Sequence, residues 1–138
     1  MKVKTFEDLQ VWQDTRNFVK TIYVLTSSAQ FNKDYGLKDQ IQRASVSIMN
    51  NISEGFERDS NREFIKFLGY SKGSAGEVRS MLYVALDLKY ITEEQFELSY
   101  NNSLDIIKQL ANFIKYLRTY SIKKNLNKVK NFIFSFFN

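Results

Sequence analysis

No proline interrupts this 138-residue chain, and only five of its residues are glycine. A β-sandwich or barrel needs both residues at its many turns, so their scarcity points to long helices joined by short links. Residues 37–56, LKDQIQRASVSIMNNISEGF, show what such a helix looks like here. Leu37, Ile41, Ala44, Ile48 and Ile52 recur at steps of four, three, four and four, which puts them on one face of an α-helix. Ala44, Ser45, Ser47, Asn50, Asn51 and Ser53 flank that face and are small enough to admit a close neighbour. Gln40, Arg43, Ser47, Asn51, Glu54 and Arg58 form a polar seam beside it.

Four such patterns follow one another, near residues 5–27, 34–56, 61–90 and 93–119, and no strand pattern competes with them. Thr5 with Asp8, Ser60 with Glu63, and Thr92 with Gln95 have the spacing of capping boxes that start helices. The expectation is an all-α, antiparallel up-down four-helix bundle over 1–120, with a basic, Phe-rich amphipathic extension over 121–138. The extension carries Ile122, Leu126, Val129, Ile133 and Phe136 at helical spacing, and a hinge near Tyr120 is allowed for. The link at 57–60 makes the second and third helices antiparallel neighbours. That pairing brings Arg43 towards Glu77 and Glu54 towards Arg62 and Lys66. Arg43, Glu54, Arg58 and Glu77 are therefore expected to form an inter-helix polar seam. Gly69, Gly73 and Gly76 share a face of the third helix, where each glycine costs ~1 kcal/mol relative to alanine. They are expected to mark the close crossing, so that Gly73 is less replaceable than Gly55.

The first helix carries two apolar stripes, Leu9, Trp12, Val19 and Tyr23 on one line and Val11, Phe18, Ile22 and Leu25 on another. A single bundle core needs one, so the second set is assigned to a contact between subunits of a homo-oligomer.

Composition excludes several chemistries. Cys and His are both absent, which removes disulfides, thiolate or imidazole zinc sites and histidine-based acid–base catalysis. The acid pairs Glu57/Asp59 and Glu93/Glu94 lie where capping and the helix dipole already use them. The glycines sit inside a helix rather than in a phosphate loop before one. No enzyme, cofactor, metal or small-molecule substrate is expected. MKVKTFEDLQ has no apolar signal core, and no run approaches the ~20 apolar residues of a membrane span, so a cytoplasmic protein is expected.

Charge is distributed unevenly. Residues 1–105 hold 13 Lys/Arg against 15 Asp/Glu, whereas residues 106–138 hold seven cations and no acid. Lys108, Lys115, Arg118, Lys123, Lys124, Lys128 and Lys130 are therefore the candidate nucleic-acid-binding residues, with Tyr116 and Tyr120 placed among them to stack on bases.

These motifs resemble the four-helix-bundle family of 23S ribosomal RNA intervening-sequence proteins. The resemblance rests on Phe6-Glu7-Asp8-Leu9-Gln10-Val11-Trp12-Gln13, Gly36-Leu37, Gln40-Ile41, Arg43-Ala44, Val46-Ser47-Ile48, Asn51-Ile52 and Glu54-Gly55-Phe56. It continues with Arg58, Ser60, Glu63-Phe64, Phe67-Leu68, Gly73-Ser74, Glu77 and residues 86–90, so that it spans roughly 5–118. It implies a bacterial, cytoplasmic bundle that assembles with itself, typically as a pentameric ring. Members also resemble accessory subunits of diversity-generating reverse transcriptases, whose basic surfaces bind nucleic acid. Met49 stands where the family pattern usually has proline, which leaves no basis for a kink there, and the tail from about Ile122 lies outside the pattern.

The favoured reading is a non-enzymatic homo-oligomer that binds RNA, or DNA, through its basic surface. The alternative is an oligomeric scaffold or protein-interaction module that binds no nucleic acid. For the apolar tail, docking within the oligomer is favoured, and a membrane is not expected as a partner.

Overall fold

The computed structural model describes residues 2–137, with side chains to Phe136; Met1, Asn138 and the side chain of Phe137 lie outside the described residues. Four helices account for most of it: α1 (Gln10–Thr26), α2 (Tyr35–Glu57), α3 (Asn61–Asp87) and α4 (Glu93–Phe137). Short 3-10 turns at Phe6–Asp8 and Phe31–Lys33 precede α1 and α2, and no strand occurs among the described residues. α2 packs on α3, α3 on α4, and α1 closes the bundle against α2 and α4. Cross-helix contacts run antiparallel, with Ser47 opposite Ser74, Ile48 opposite Ser71 and Gly55 opposite Phe64.

Local chemistry fixes three of the four helix starts. Asp34 caps α2 by accepting from the Leu37 amide at 3.1 Å, and its other oxygen accepts from the Tyr90 hydroxyl at 3.0 Å. That second bond ties the start of α2 to the α3–α4 link, and it holds the Tyr90 phenol above its usual pKa. Ser60 accepts from the Glu63 amide at 3.3 Å, and Thr92 and Gln95 exchange both bonds of a capping box. Thr5 behaves differently from expectation. Its box with Asp8 closes the 3-10 turn, the backbone then straightens at Leu9 (φ −75°, ψ 123°), and α1 begins only at Gln10.

The core joins Val11, Phe18 and Ile22 of α1 to Ile41, Ile48 and Ile52 of α2. Leu68, Val78 and Leu82 of α3 and Ile106, Leu110 and Ile114 of α4 complete it. Its buried hydroxyls are satisfied. Thr15 donates to Val11 O at 2.7 Å, Ser103 to Tyr100 O at 2.6 Å, and Ser71 crosses from α3 to Ile48 O of α2 at 2.7 Å. Met49 packs against the core, and α2 runs through it without a break.

The close approach of α2 to α3 lies elsewhere than the glycine pattern suggests. A Cβ on Gly55 would stand 2.7 Å from Phe67 Cβ and 3.0 Å from Phe64 Cδ1, whereas Gly69, Gly73 and Gly76 have nothing within 4 Å. Those three line the face of α3 turned away from the core, so the expectation that they mark the crossing is overturned. Gly55→Ala is therefore expected to lower the melting temperature, because its ~1–3 kcal/mol overpacking cost exceeds the ~1 kcal/mol helix-propensity gain. Gly73→Ala is expected to raise it or leave it unchanged, and thermal denaturation followed by circular dichroism distinguishes the two.

A second prediction comes from the end of α3. Lys89 occupies the left-handed region (φ 60°), with its amide bonded to Leu86 O and the Tyr90 amide to Ala85 O. This is a Schellman stop at the position where glycine is least strained. Lys89→Gly should stabilise the chain by up to about 1 kcal/mol, read as a higher midpoint in urea denaturation.

Candidate nucleic-acid interface

α4 is the element on which the candidate cations sit, and its phase decides which of them meet. It continues unbroken through Tyr120 to Phe137, with no hinge. The buried line Ile106, Leu110, Ile114, Leu117 carries on past the end of the bundle as Ser121, Lys124 and Lys128, at the same three- and four-residue steps. Lys108, Lys115 and Arg118 fall on an outer line, and Lys123 and Lys130 on a third. All seven cations are exposed, but the structure does not gather them into one patch.

Two of them meet an aromatic groove. Where α4 leaves the bundle, it and the α2–α3 link enclose an open groove of about 790 Å³. Phe56, Phe64, Phe113 and Leu117 contribute to its lining, and Arg58, Asp59, Lys124 and Lys128 supply its charges. Phe64 is held edge-on to Phe56 (5.9 Å between centroids) and to Phe113 (5.1 Å), so one aromatic run ties α2, α3 and α4 together at this end. Tyr116 and Tyr120 stand on the groove's wall, 6.5 Å apart and within 26° of parallel, with Tyr116 64% exposed. Arg58 is placed by Glu54 one turn back (3.2 Å) and by the ring of Phe67 (5.1 Å to its centroid). Lys124 and Lys128, with Arg58 already paired to Glu54, stand against Asp59 beside two open phenol faces, a set of groups suited to phosphates and to the faces of bases.

The polar seam differs from its expected form. Arg43 pairs with Asp39 on its own helix at 2.9 Å, Arg58 pairs with Glu54, and Lys66 pairs with Glu63 at 3.0 Å. Arg43 and Glu77 line one shallow groove between α2 and α3, but the bond across it is Ser47 to Ser74 at 2.9 Å. The reason is reach: a partner one turn away on the same helix is met with less ordering of long side chains than one across a groove.

The subunit-contact assignment on α1 is also corrected. Val11, Phe18, Ile22 and Leu25 are all buried within the one chain, Phe18 at 2% and Ile22 at 0% exposure. The supposed inner stripe is the divided one, with Leu9 and Trp12 buried and Tyr23 exposed.

Sequence reasoning placed Arg58 in the seam and missed its position at the groove. The cue for Lys124 and Lys128 was present, because both continue the spacing of the core line. Among the described residues no group of three or more acids is placed to hold a metal ion.

Residues 7–112 match the family model described as 23S rRNA-intervening sequence protein. The chain is also similar to a solved structure from Bacteroides thetaiotaomicron, a protein of unknown function from the S23 ribosomal protein family. The two are 31% identical with a TM-score of 0.71, over 76% of this chain and 98% of the other. No curated protein matches the chain. The family match stops at Asn112, before Lys115 and the cations beyond it. On the extent of that match, and on the four-helix architecture it shares with the solved structure, this chain belongs to the 23S rRNA-intervening sequence protein family.

Proposed function

We propose that this chain is a non-catalytic, oligomeric helical bundle that binds nucleic acid, with single-stranded RNA favoured, at the groove between α4 and the α2–α3 link. The observation that carries the reading is the side-by-side placement of Tyr116 and Tyr120 with Arg58, Lys124 and Lys128 at one open groove. Its cations meet phosphates as point charges and read no base edges, which makes the affinity salt-dependent and largely indifferent to sequence. Single strands suit it better than duplex, because only unpaired bases offer a face to the two phenols.

Self-association, with a pentamer expected from the family resemblance, belongs to the same proposal. Multi-angle light scattering at micromolar concentration is expected to give several times the 16.3 kDa chain mass. A monomer mass would end the oligomer reading.

Fluorescence anisotropy with generic single-stranded RNA, single-stranded DNA and duplex tests the groove. Tyr116→Ala with Tyr120→Ala should weaken single-strand binding by at least about tenfold, at ~1–3 kcal/mol per stacked base. Lys124→Gln with Lys128→Gln should reduce the slope of log affinity against log salt by about 0.7 per lost phosphate contact. Lys108→Gln, away from the groove, should change little. If the wild type binds no nucleic acid at low salt, the groove reading fails and the oligomeric scaffold takes its place.

A further inference from the structure

Past the bundle, α4 continues for residues 121–137, about 25 Å of helix at ~1.5 Å per residue. Four of its apolar residues leave the core line, whereas Phe132, about five turns on from Ile114, stays at its edge. Ile122, Leu126, Val129 and Ile133 fall roughly a third of a turn away from it, on the line that Lys108, Lys115 and Arg118 occupy upstream. They are 60%, 54%, 53% and 49% exposed. Phe136 lies between the stripe and Phe132, and the two rings are tilted against each other at 6.3 Å. Lys123 and Lys130 border the face on one side, and no acid occurs anywhere beyond Asp105.

We propose, against the expectation from sequence, that the projecting part of α4 lies on anionic phospholipid surfaces as an interfacial amphipathic helix. Ile122, Leu126, Val129 and Ile133 enter the acyl boundary, while Lys123, Lys130 and Arg118 meet lipid phosphates. The proposal stands apart from the nucleic-acid reading, because Lys124 and Lys128 face the groove and not this surface.

Two properties choose the occupant. The face has lysines along one border and no acid near it, the pattern that suits a phase that is apolar inside and anionic at its edge. Lysine stems reach from such a border to headgroups while their methylenes stay on the apolar side. A second copy of the same helix suits it less. The four-three-four spacing is that of a coiled-coil seam, but Lys123 and Lys130 would flank that seam, and a second copy brings only like charges to meet them. Crossing the bilayer is not involved, since no helix among the described residues is long and apolar enough to do so.

Co-sedimentation of the full chain with sucrose-loaded vesicles tests the proposal. Vesicles of phosphatidylcholine alone are compared with vesicles that contain roughly a third phosphatidylglycerol. The wild type should pellet with the anionic vesicles and bind the neutral ones at least about tenfold more weakly, and added salt should narrow the difference. Leu126→Ser with Ile133→Ser should lower anionic-vesicle binding by at least about tenfold. That variant should keep its circular dichroism, its melting temperature and its RNA anisotropy, because neither side chain is in the core or the groove. Absence of wild-type pelleting with anionic vesicles at low salt overturns the proposal, as does undiminished pelleting of the double variant. Loss of oligomer mass in the double variant, with no vesicle binding by the wild type, overturns it in favour of a second copy as the occupant.

Discussion

The end of the bundle that carries the candidate groove depends on how closely α2 can approach α3. The limit is set at Gly55, where the missing side chain lets the backbone of α2 settle against Phe64 and Phe67. About two turns earlier, the same approach lets Ser71 reach Ile48 O and lets the hydroxyls of Ser47 and Ser74 meet. These contacts fix the rotation of α3, and with it the direction of Phe64. Phe64 in turn seats Phe113, so the line of α4 out of the bundle is inherited from a glycine on another helix. The candidate groove exists because that line diverges from the α2–α3 link and leaves Phe56, Phe64 and Phe113 as its floor.

The helices were legible because their starts are local. Ser60, Thr92 and Asp34 each bond to amides within three residues, so the information is contained in four consecutive positions. Thr5 shows the limit of that reasoning. Its box with Asp8 forms, yet it starts only a 3-10 turn, since an extended Leu9 intervenes before α1. A capping box specifies a turn; how far the helix continues is decided by what the next residues pack against.

The partners were less legible, for a consistent physical reason. A glycine within a helix signals that something comes near or that something is tolerated, but it does not name the neighbour. Gly55 and Gly73 are equivalent on that evidence, and only the antiparallel register separates them. The two stripes of α1 posed the same difficulty. Both are apolar enough to be core, and the choice depends on which face α2 and α4 cover, which turned out to be that of Phe18 and Ile22. For Arg43 and Glu54 the competition was between helices. Ion pairs at one-turn spacing need no tertiary structure at all, and those pairs formed.

α4 shows how phase turns a charge count into a geometry. The excess of cations after residue 105 was plain from composition, but a count treats the seven as one group. The rotation of the helix sorts them, because it does not reset where the bundle ends. The line that was core at Leu110, Ile114 and Leu117 becomes hydroxyl and cation at Ser121, Lys124 and Lys128, facing a groove rather than a core. The apolar line meanwhile appears where the bundle had carried Lys115 and Arg118. A hinge at Tyr120 would let that line rotate back towards the chain's own core and hide there. The unbroken helix forbids this, since turning the tail by a third of a turn means giving up the backbone hydrogen bonds that join Leu117 to Ser121 and its neighbours. The groove and the apolar stripe are therefore presented together by one continuous helix.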